Sequence, residues 1–471
     1  MATVPLIFPN QSNPGRFFAN GSARLVNCFR ENMGGEGTVT DPIYACSGLS
    51  LWSTLTGGDG IRAALAVDNY LYVVAGRLLF RVDSAGAATQ IGAIPTDGPV
   101  YMARNRAVPT QIGICSAGQF WYLVGTTLTL NADTDLPAAS SFTVLDGYGI
   151  FPGFGNQWFI SDVDDFTNID PLDFASAESS PDAIVRVAVR ESELVMFGAD
   201  SIEWWRNTGE SFPFGRVTAK RIGCLSAASV ARFSQTLAWV ATDEDDNIFV
   251  AVMNGYDGQR ISTHAVERAI RDDANRDSIT ATSWGEDGHT FLAISGTNWT
   301  WVFDKATGQW HERASYGSNK WRCNAVVSFA GKLIACDASE GKLYEMSRDV
   351  HDENGDPLIV KIVTPSHHAF PSPIRIKSLA LQAALGNGEV PGDDATSDPQ
   401  LMIEFSKDGG ATFTAKEDVS LGSAGYRRMR IRARKFGKAE DQGITFRFTV
   451  SAAVGRSFNA GILDVDKLGG D

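Results

Sequence analysis

"YLYVVAGRLLFRVD", residues 70–83, is the stretch on which the reading of the fold turns. Two runs rich in β-branched and aromatic residues meet at Gly76-Arg77. Such side chains pack well on a pleated surface, and a glycine in the connection supplies the backbone angles of a tight turn, so the stretch predicts a β-hairpin. Comparable pairs follow: "QIGICSAGQFWYLVG" (111–125), "ELVMFGADSIEWWRN" (193–207), "TLAWVATDEDDNIFVAV" (236–252), "TFLAISGTNWTWVFD" (290–304) and "KLIACDASEGKLYEM" (332–346). Each predicts strand, turn, strand.

The pairs return roughly every 40 to 60 residues, the period of four-stranded sheets set radially as propeller blades. One short twisted sheet cannot bury both of its faces, whereas sheets stacked in a ring cover each other and leave few open edges. The expected fold class is all-β: a six- or seven-bladed β-propeller-like body plus a C-terminal β-sandwich. The body spans residues 55–362, with seven units if "GFGNQWFISDVDD" forms one of its own. Residues 1–54 show little periodicity and are expected to form an extended arm or a closing strand. "HAVERAIRDD" (264–273) is the helical exception, with Ala265, Val266, Ala269 and Ile270 at helical offsets. Pro365, Pro371 and Pro373 mark a linker over 363–378, after which "IRIKSLALQAAL", "LMIEFSKDGGATFT", "RRMRIRARKFG" and "ITFRFTVSAAV" alternate as sandwich strands do over 379–471.

Among 471 residues, 41 basic and 55 acidic side chains give a formal charge of −14, the wrong sign for gripping nucleic acid by its phosphates. The six cysteines include no CxxC pair, so buried free thiols are expected instead of a zinc ribbon or a disulfide framework. The N-terminal "MATVPLIFPNQSNPGRFF" has neither a basic start nor a long apolar run, and no apolar segment approaches the length of a membrane span. A soluble product of a cytoplasm, with no membrane contact, is the expectation.

Motifs of catalysis are weak. "FSKDGGATF" (405–413) fits an Asp-box with Phe413 in the tryptophan place, and that pattern marks a hairpin, not a catalytic centre. "WHERA" (310–314) begins like a zincin, but Ser315 stands where the second histidine is required; "GKL" (341–343) lacks the rest of a phosphate loop; no GxSxG is present. Trp204-Trp205 and Trp299-Thr-Trp301 can stack on sugars or bases, but tryptophans in strands more commonly fill space between sheets. In "YRRMRIRARKFGK" (426–438), strand alternation places Arg428, Arg430, Arg432 and Arg434 on one face. That basic strip is either a solvated edge or, on so acidic a chain, a docking surface for a negatively charged neighbour such as a second copy.

The segment "QWFISDVDDFTNIDPLDFASAESSPD" (157–182) carries seven carboxylates. Asp162, Asp164, Asp165, Asp170 and Asp173 raise a calcium reading, but counted from Asp162 the glycine and glutamate positions of an EF-hand hold Thr167 and Asp173. A solvated loop between strands is the expectation. Pairs such as Asp164 with Asp165, or Glu178 with Asp182, arise readily by chance among so many acidic residues and do not indicate a glycosidase. No catalytic, cofactor-binding or metal-binding residue is assigned.

Taken with its continuation to Phe214, this segment resembles the packaged-DNA stabilisation proteins of phages, the tail hub or head-closure components of short-tailed viruses. The resemblance rests on the start at Trp158 to Asp162, the Ala-Glu-Ser-x-Pro-Asp centre from Ala177 through Glu178 to Asp182, and the Phe-Gly-x-x-x-Ile-Glu strand from Phe197 to Glu203, then Thr208-Gly209. "RLVNCFRE" (24–31), "NGYDGQRISTHAVERAI" (254–270), "TWVFDKATGQWHER" (300–313) and "RMRIRARKFGKAED" extend it. It implies a structural virion protein assembled in the host cytoplasm, a ring of six copies that closes the portal and adaptor channel and retains packaged DNA without reading its sequence. It further implies anchorage for needle, nozzle or spike proteins, and it supplies no cofactor and no catalytic residues. The alternative is a carbohydrate-binding or glycoside-cleaving propeller of a phage tail.

Overall fold

The computed structural model describes residues 2–18, 21–34, 41–180, 182–390 and 392–467. The chain is predominantly β, built of several small sheets that are mostly antiparallel. The hairpin of residues 70–83 is present, as strands Tyr70–Ala75 and Leu78–Val82. It forms the middle of a four-stranded sheet, A, with Ile61–Val67 and Ala88–Ala93.

Sheets of the same meander pattern succeed it along the chain. Sheet B is Val100–Arg104, Gln111–Ser116, Gln119–Val124 and Thr127–Leu130, and sheet C is Thr143–Leu145, Tyr148–Pro152, Gln157–Ile160 and Phe174–Ser176. Sheet D is Ile184–Arg190, Glu193–Gly198, Ile202–Asn207 and Phe214–Lys220. In sheet E, Gly223–Cys224 and Ala231–Phe233 both pair with Thr236–Thr242, followed by Ile248–Asn254 and Asp257–Arg260. Sheet F is Thr280–Glu286, His289–Ser295, Thr300–Asp304 and Gln309–Glu312. Sheet G is Cys323–Phe329, Lys332–Asp337 and Glu340–Ser347, completed by Gly48–Asp59 from the other end of the chain. The stretch that holds "GFGNQWFISDVDD" is thus a sheet in its own right.

Each sheet buries its faces against its neighbours. Separate apolar cores fill the spaces between A and B, B and C, C and D, D and E, E and F, F and G, and G and A. The tryptophan runs belong to them: Trp204, Trp205 and Trp301 are buried. Hydrogen bonds lace the same junctions. Asn324 Nδ2 donates to Ile61 O at 2.8 Å, Arg62 Nη2 to Ser116 Oγ at 2.8 Å, and Cys115 Sγ to Ala139 O at 3.6 Å. Val187 N donates to Ser141 Oγ at 3.1 Å, Thr242 Oγ1 to Ala199 O at 3.1 Å, Ser226 Oγ to Ile279 O at 2.8 Å, and Val326 N to Thr282 Oγ1 at 3.0 Å. The helix expected at 264–273 is His264–Arg271, which seats Ala265, Val266 and Ile270 in the core between E and F.

The N-terminal strands join strands from the C-terminal part. Arg24–Val26 bridges Gln309–Glu312 of sheet F to Val360–Val363, which continues into Thr445–Val450, Gln400–Ser406 and Thr414–Ser420. A second sheet combines Ala2–Pro5, Cys28–Arg30 and Ile43–Ala45 with Ser457–Lys467, Ile374–Ala383 and Ile431–Ala439. One apolar core, including Leu25, Ile376, Ile403, Ile431, Phe446 and Leu463, draws on both. All six cysteines are buried and unpaired. No helix among the described residues is long and apolar enough to cross a membrane.

Candidate functional site

Trp158 lies on the third strand of sheet C, fully buried against sheet D, with ring centroids 5.3 Å from Trp205, 5.5 Å from Phe212 and 5.7 Å from Phe214. Trp205 Nε1 donates to Glu203 Oε2 at 2.9 Å, and the other oxygen of that buried carboxylate accepts from Ser179 N at 2.7 Å and faces Arg216 Nη1 at 3.4 Å. A buried carboxylate is tolerated when its lone pairs are met in this way. At the far end of the same loop, Asp182 Oδ2 accepts from Asp200 N at 2.8 Å and Ser201 N at 3.1 Å. Gly198 admits that approach: a Cβ there would lie 2.2 Å from Asp182 Oδ2. Glu178 is exposed, and Pro181 lies outside the described residues. The segment is therefore a clasp that fastens the loop leaving sheet C onto the hairpin of sheet D. It is not a constellation poised for chemistry.

Of the aspartates upstream, Asp165 and Asp170 are turn-formers, while Asp164 fastens the loop to Arg106, just after the first strand of sheet B, and Asp162 binds the Asn168 side chain. Asp165 Oδ1 accepts from Thr167 N at 2.9 Å and Thr167 Oγ1 at 2.8 Å, Asp170 Oδ1 from Leu172 N at 2.9 Å, and Asp164 Oδ1 from Arg106 N at 3.0 Å. Asp162 Oδ2 accepts from Asn168 Nδ2 at 2.7 Å. Short acidic side chains commonly bind backbone donors two residues on. Asp173 is displaced upward from the ordinary carboxylate range, first by burial and then by Asp170 and Asp162. No group of three potential metal ligands occurs among the described residues.

The basic strip differs from a regular strand. Pairing with Ile374–Ala383 begins at Ile431, so Arg432 and Arg434 alternate outward on a strand while Arg428 and Arg430 precede it. The chain is held away there by a loop pairing, Gly386 N to Leu421 O at 2.9 Å and Gly425 N to Gly386 O at 3.0 Å. All four arginines are exposed. Arg432 Nη2 lies 3.4 Å from Asp464 Oδ2, whereas Arg428, Arg430 and Arg434 make no ion pair among the described residues.

The remaining motifs are structural. Asp408 of the Asp-box accepts from Ser406 Oγ at 2.6 Å and Thr412 N at 2.9 Å, bonds that hold its carboxyl well below the usual range. His311 of "WHERA" is buried, which pushes it down to about 3. A groove of about 570 Å³ beside Trp299 and Tyr316 contains one carboxylate, Glu312, already paired bidentately with Arg24. Glycoside cleavage by two carboxyl groups has no second partner there.

A family model described as "Bacteriophage P22 Gp10, beta-propeller" matches residues 25–351. The chain belongs to this family. The tail hub protein gp10 of Salmonella phage P22 is 23% identical over 259 residues, 51% of this chain and 54% of that protein. The chain thus spans about half the length of that curated relative. Among solved structures, the WD40 β-propeller domain of Doa1 is 12% identical with a TM-score of 0.39, covering 64% of this chain and 97% of that one. A computationally designed protein, Ika8, is 12% identical with a TM-score of 0.37, covering 63% and 99%. At these values neither bears on the fold.

The family match takes in every strand of sheets A to G and the clasp, and it ends before the basic strip. Sequence reasoning places Trp158, Asp182 and Glu203 in one motif. Gly198 falls within that motif, but sequence reasoning misses Gly223, which lets sheets D and E approach, because its demand is set by a partner on another sheet.

Proposed function

We propose that the chain is a structural virion protein, a tail hub that closes the portal and adaptor channel, retains packaged DNA and anchors distal needle, nozzle or spike proteins. The observation that carries this reading is the family match across the whole succession of sheets A to G. In this reading the sheets close into a seven-bladed propeller over 55–362, with Gly48–Asp59 as the strand that ties the ring shut. The laced junctions and the packing of the first strand of sheet G on that of sheet A support closure. Residues 1–54, apart from the part of the closing strand that begins at Gly48, are the arm that laces this body to a β-sandwich over 379–471, whose strand Ile374–Ala383 begins within the linker at 363–378.

The protein acts in the phage tail after assembly in the host cytoplasm, as a ring of six copies. A repeated heterologous contact needs two complementary patches on each copy, and an exposed basic strip on a chain of charge −14 suits one of them. Particles made without the gene are expected to package DNA and then lose it. Nuclease-protected DNA in purified heads measures this, and full retention without the protein refutes the hub reading. Joint Arg430→Glu and Arg434→Glu substitution, which spares the Arg432–Asp464 pair, is expected to leave the melting temperature within about 1 °C, as surface changes usually do. It is expected to weaken self-association or adaptor docking, and wild-type binding should fall as salt rises. Unchanged assembly at every ionic strength removes the strip from the interface.

A further inference from the structure

Arg186 stands on the first strand of sheet D at a β-bulge: Ile184 pairs with Gly198 and Arg186 with Phe197, leaving Val185 as the extra residue. Bulges re-aim side chains. Here the guanidinium stacks on Tyr101 of sheet B at 3.6 Å from the ring centroid, past sheet C, which lies between B and D in sequence. Ala227, in the turn after the first strand of sheet E, packs on the same aromatic cluster as Tyr101. Arg186 thus joins the first strands of sheets B and D, which are not adjacent, close to the turn that follows the first strand of sheet E.

Its nitrogens are unmet. Nε and Nη1 have no accessible surface and no hydrogen-bond partner, and Arg186 forms no ion pair among the described residues. The residue as a whole keeps some accessible surface, and Nη2 is not among its buried unpartnered nitrogens, which leaves it as the open one. The titratable groups that act on it are Tyr101, Cys115 and Cys224, and no carboxylate is among them. Burial pushes both thiols up to about 12 and raises Tyr101, so all three are neutral at physiological pH. A guanidinium does not shed its charge under such conditions, and a shielded cation with unmet donors is costly unless an anion joins it. The aromatic face offsets part of that cost but accepts none of the in-plane N–H groups.

We propose that Arg186 is an anion-binding residue, taking a small oxyanion, inorganic phosphate or a carboxylate, at the open nitrogen of its guanidinium, where it joins sheets B and D near the turn of sheet E. Only Nη2 is accessible, so the anion is held through that one nitrogen and compensates the guanidinium charge without reaching Nε or Nη1. This site is independent of how copies of the chain assemble.

The test uses the full chain in a bulky sulfonate buffer at constant ionic strength, titrated with phosphate or with acetate, for wild type and for Arg186→Met. Methionine keeps the stem and removes the charge. Phosphate stabilises proteins generally through exclusion from their surface, so the readout is the difference between the two proteins. The wild-type melting temperature is expected to rise saturably, by at least about 3 °C more than that of Arg186→Met, through ligand linkage. Without added anion Arg186→Met should melt at the same temperature as wild type or higher, since an uncompensated buried charge has been removed. A response to phosphate alone assigns a free oxyanion, and one to acetate as well assigns a carboxylate-accepting site. Parallel melting curves for both proteins under both anions overturn the proposal. Should Arg186→Met not fold, calorimetric titration of wild type against Arg186→Lys decides it: absence of phosphate-binding heat in wild type, or equal affinity in Arg186→Lys, rejects the guanidinium site.

Discussion

Gly223→Ala is expected to destabilise the protein by at least about 3 kcal/mol, the upper part of the range for forced overpacking. A Cβ at this position would lie 1.7 Å from Ala199 O, 2.5 Å from Ala199 C and 2.5 Å from Thr242 Oγ1. The obstruction is backbone, so no side-chain rotation relieves it. Ala199 is itself pinned in the hairpin turn of sheet D. Gly198 N donates to Ser201 O at 2.7 Å, Asp182 accepts from Asp200 N and Ser201 N, and Thr242 Oγ1 donates to Ala199 O at 3.1 Å. Relief therefore requires sheets D and E to separate, which opens the core between them. Gly155→Ala is the matched control, since a Cβ there meets nothing within 4 Å and the backbone angle is an ordinary one. Urea midpoints of the two substituted proteins check the expectation, and a Gly223→Ala loss under about 1 kcal/mol contradicts so close an approach of D and E.

The same pair of positions shows where sequence stops being informative. The hairpin at 70–83 is legible because each strand has at least five residues of strand-forming types around a glycine turn, and the structure returns it as Tyr70–Ala75 and Leu78–Val82. Sheet C is ambiguous in sequence because its strands run three to five residues and two of them are separated by the acidic loop, so no alternation accumulates. The N-terminal strands are shorter than any periodic window, and most of their partners lie hundreds of residues away, as Val4 opposite Leu463 does, though Cys28–Arg30 also pairs with nearby Ile43–Ala45. Alternating arginines from 428 to 434 read as one strand face, but strand onset is decided by the partner, which begins pairing only at Ile431. Glu203 is legible as part of a motif. That it is buried, and that its two oxygens serve a loop amide and an indole, follows only from how sheets C and D stack. Arg186 carries no sequence signal, because an arginine in a strand is ordinarily solvated.

Trp158→Ala tests whether the family motif is structural, with an expected loss of about 3–5 kcal/mol, the usual cost of emptying an aromatic site in a core. The indole is fully buried and touches Trp205, Phe212 and Phe214, all from sheet D, so the cavity opens on the junction between sheets and not within one. Its Nε1 has no hydrogen-bond partner. Trp158→Phe consequently sacrifices packing alone and should cost less than the alanine change. The loss has a directed consequence, because Trp205 is also the donor to Glu203, whose other oxygen holds Ser179 N. A loosened Trp205 frees the loop that begins at Ala177. Limited proteolysis should therefore cut Trp158→Ala near residues 177–180 faster than wild type, before any global unfolding. Glu178→Ala, in the same motif but exposed, should change stability by no more than about 0.5 kcal/mol. Equal losses from Trp158→Ala and Glu178→Ala, or an intact loop in Trp158→Ala, would refute the clasp and return the acidic residues of the motif to consideration as a surface for another molecule.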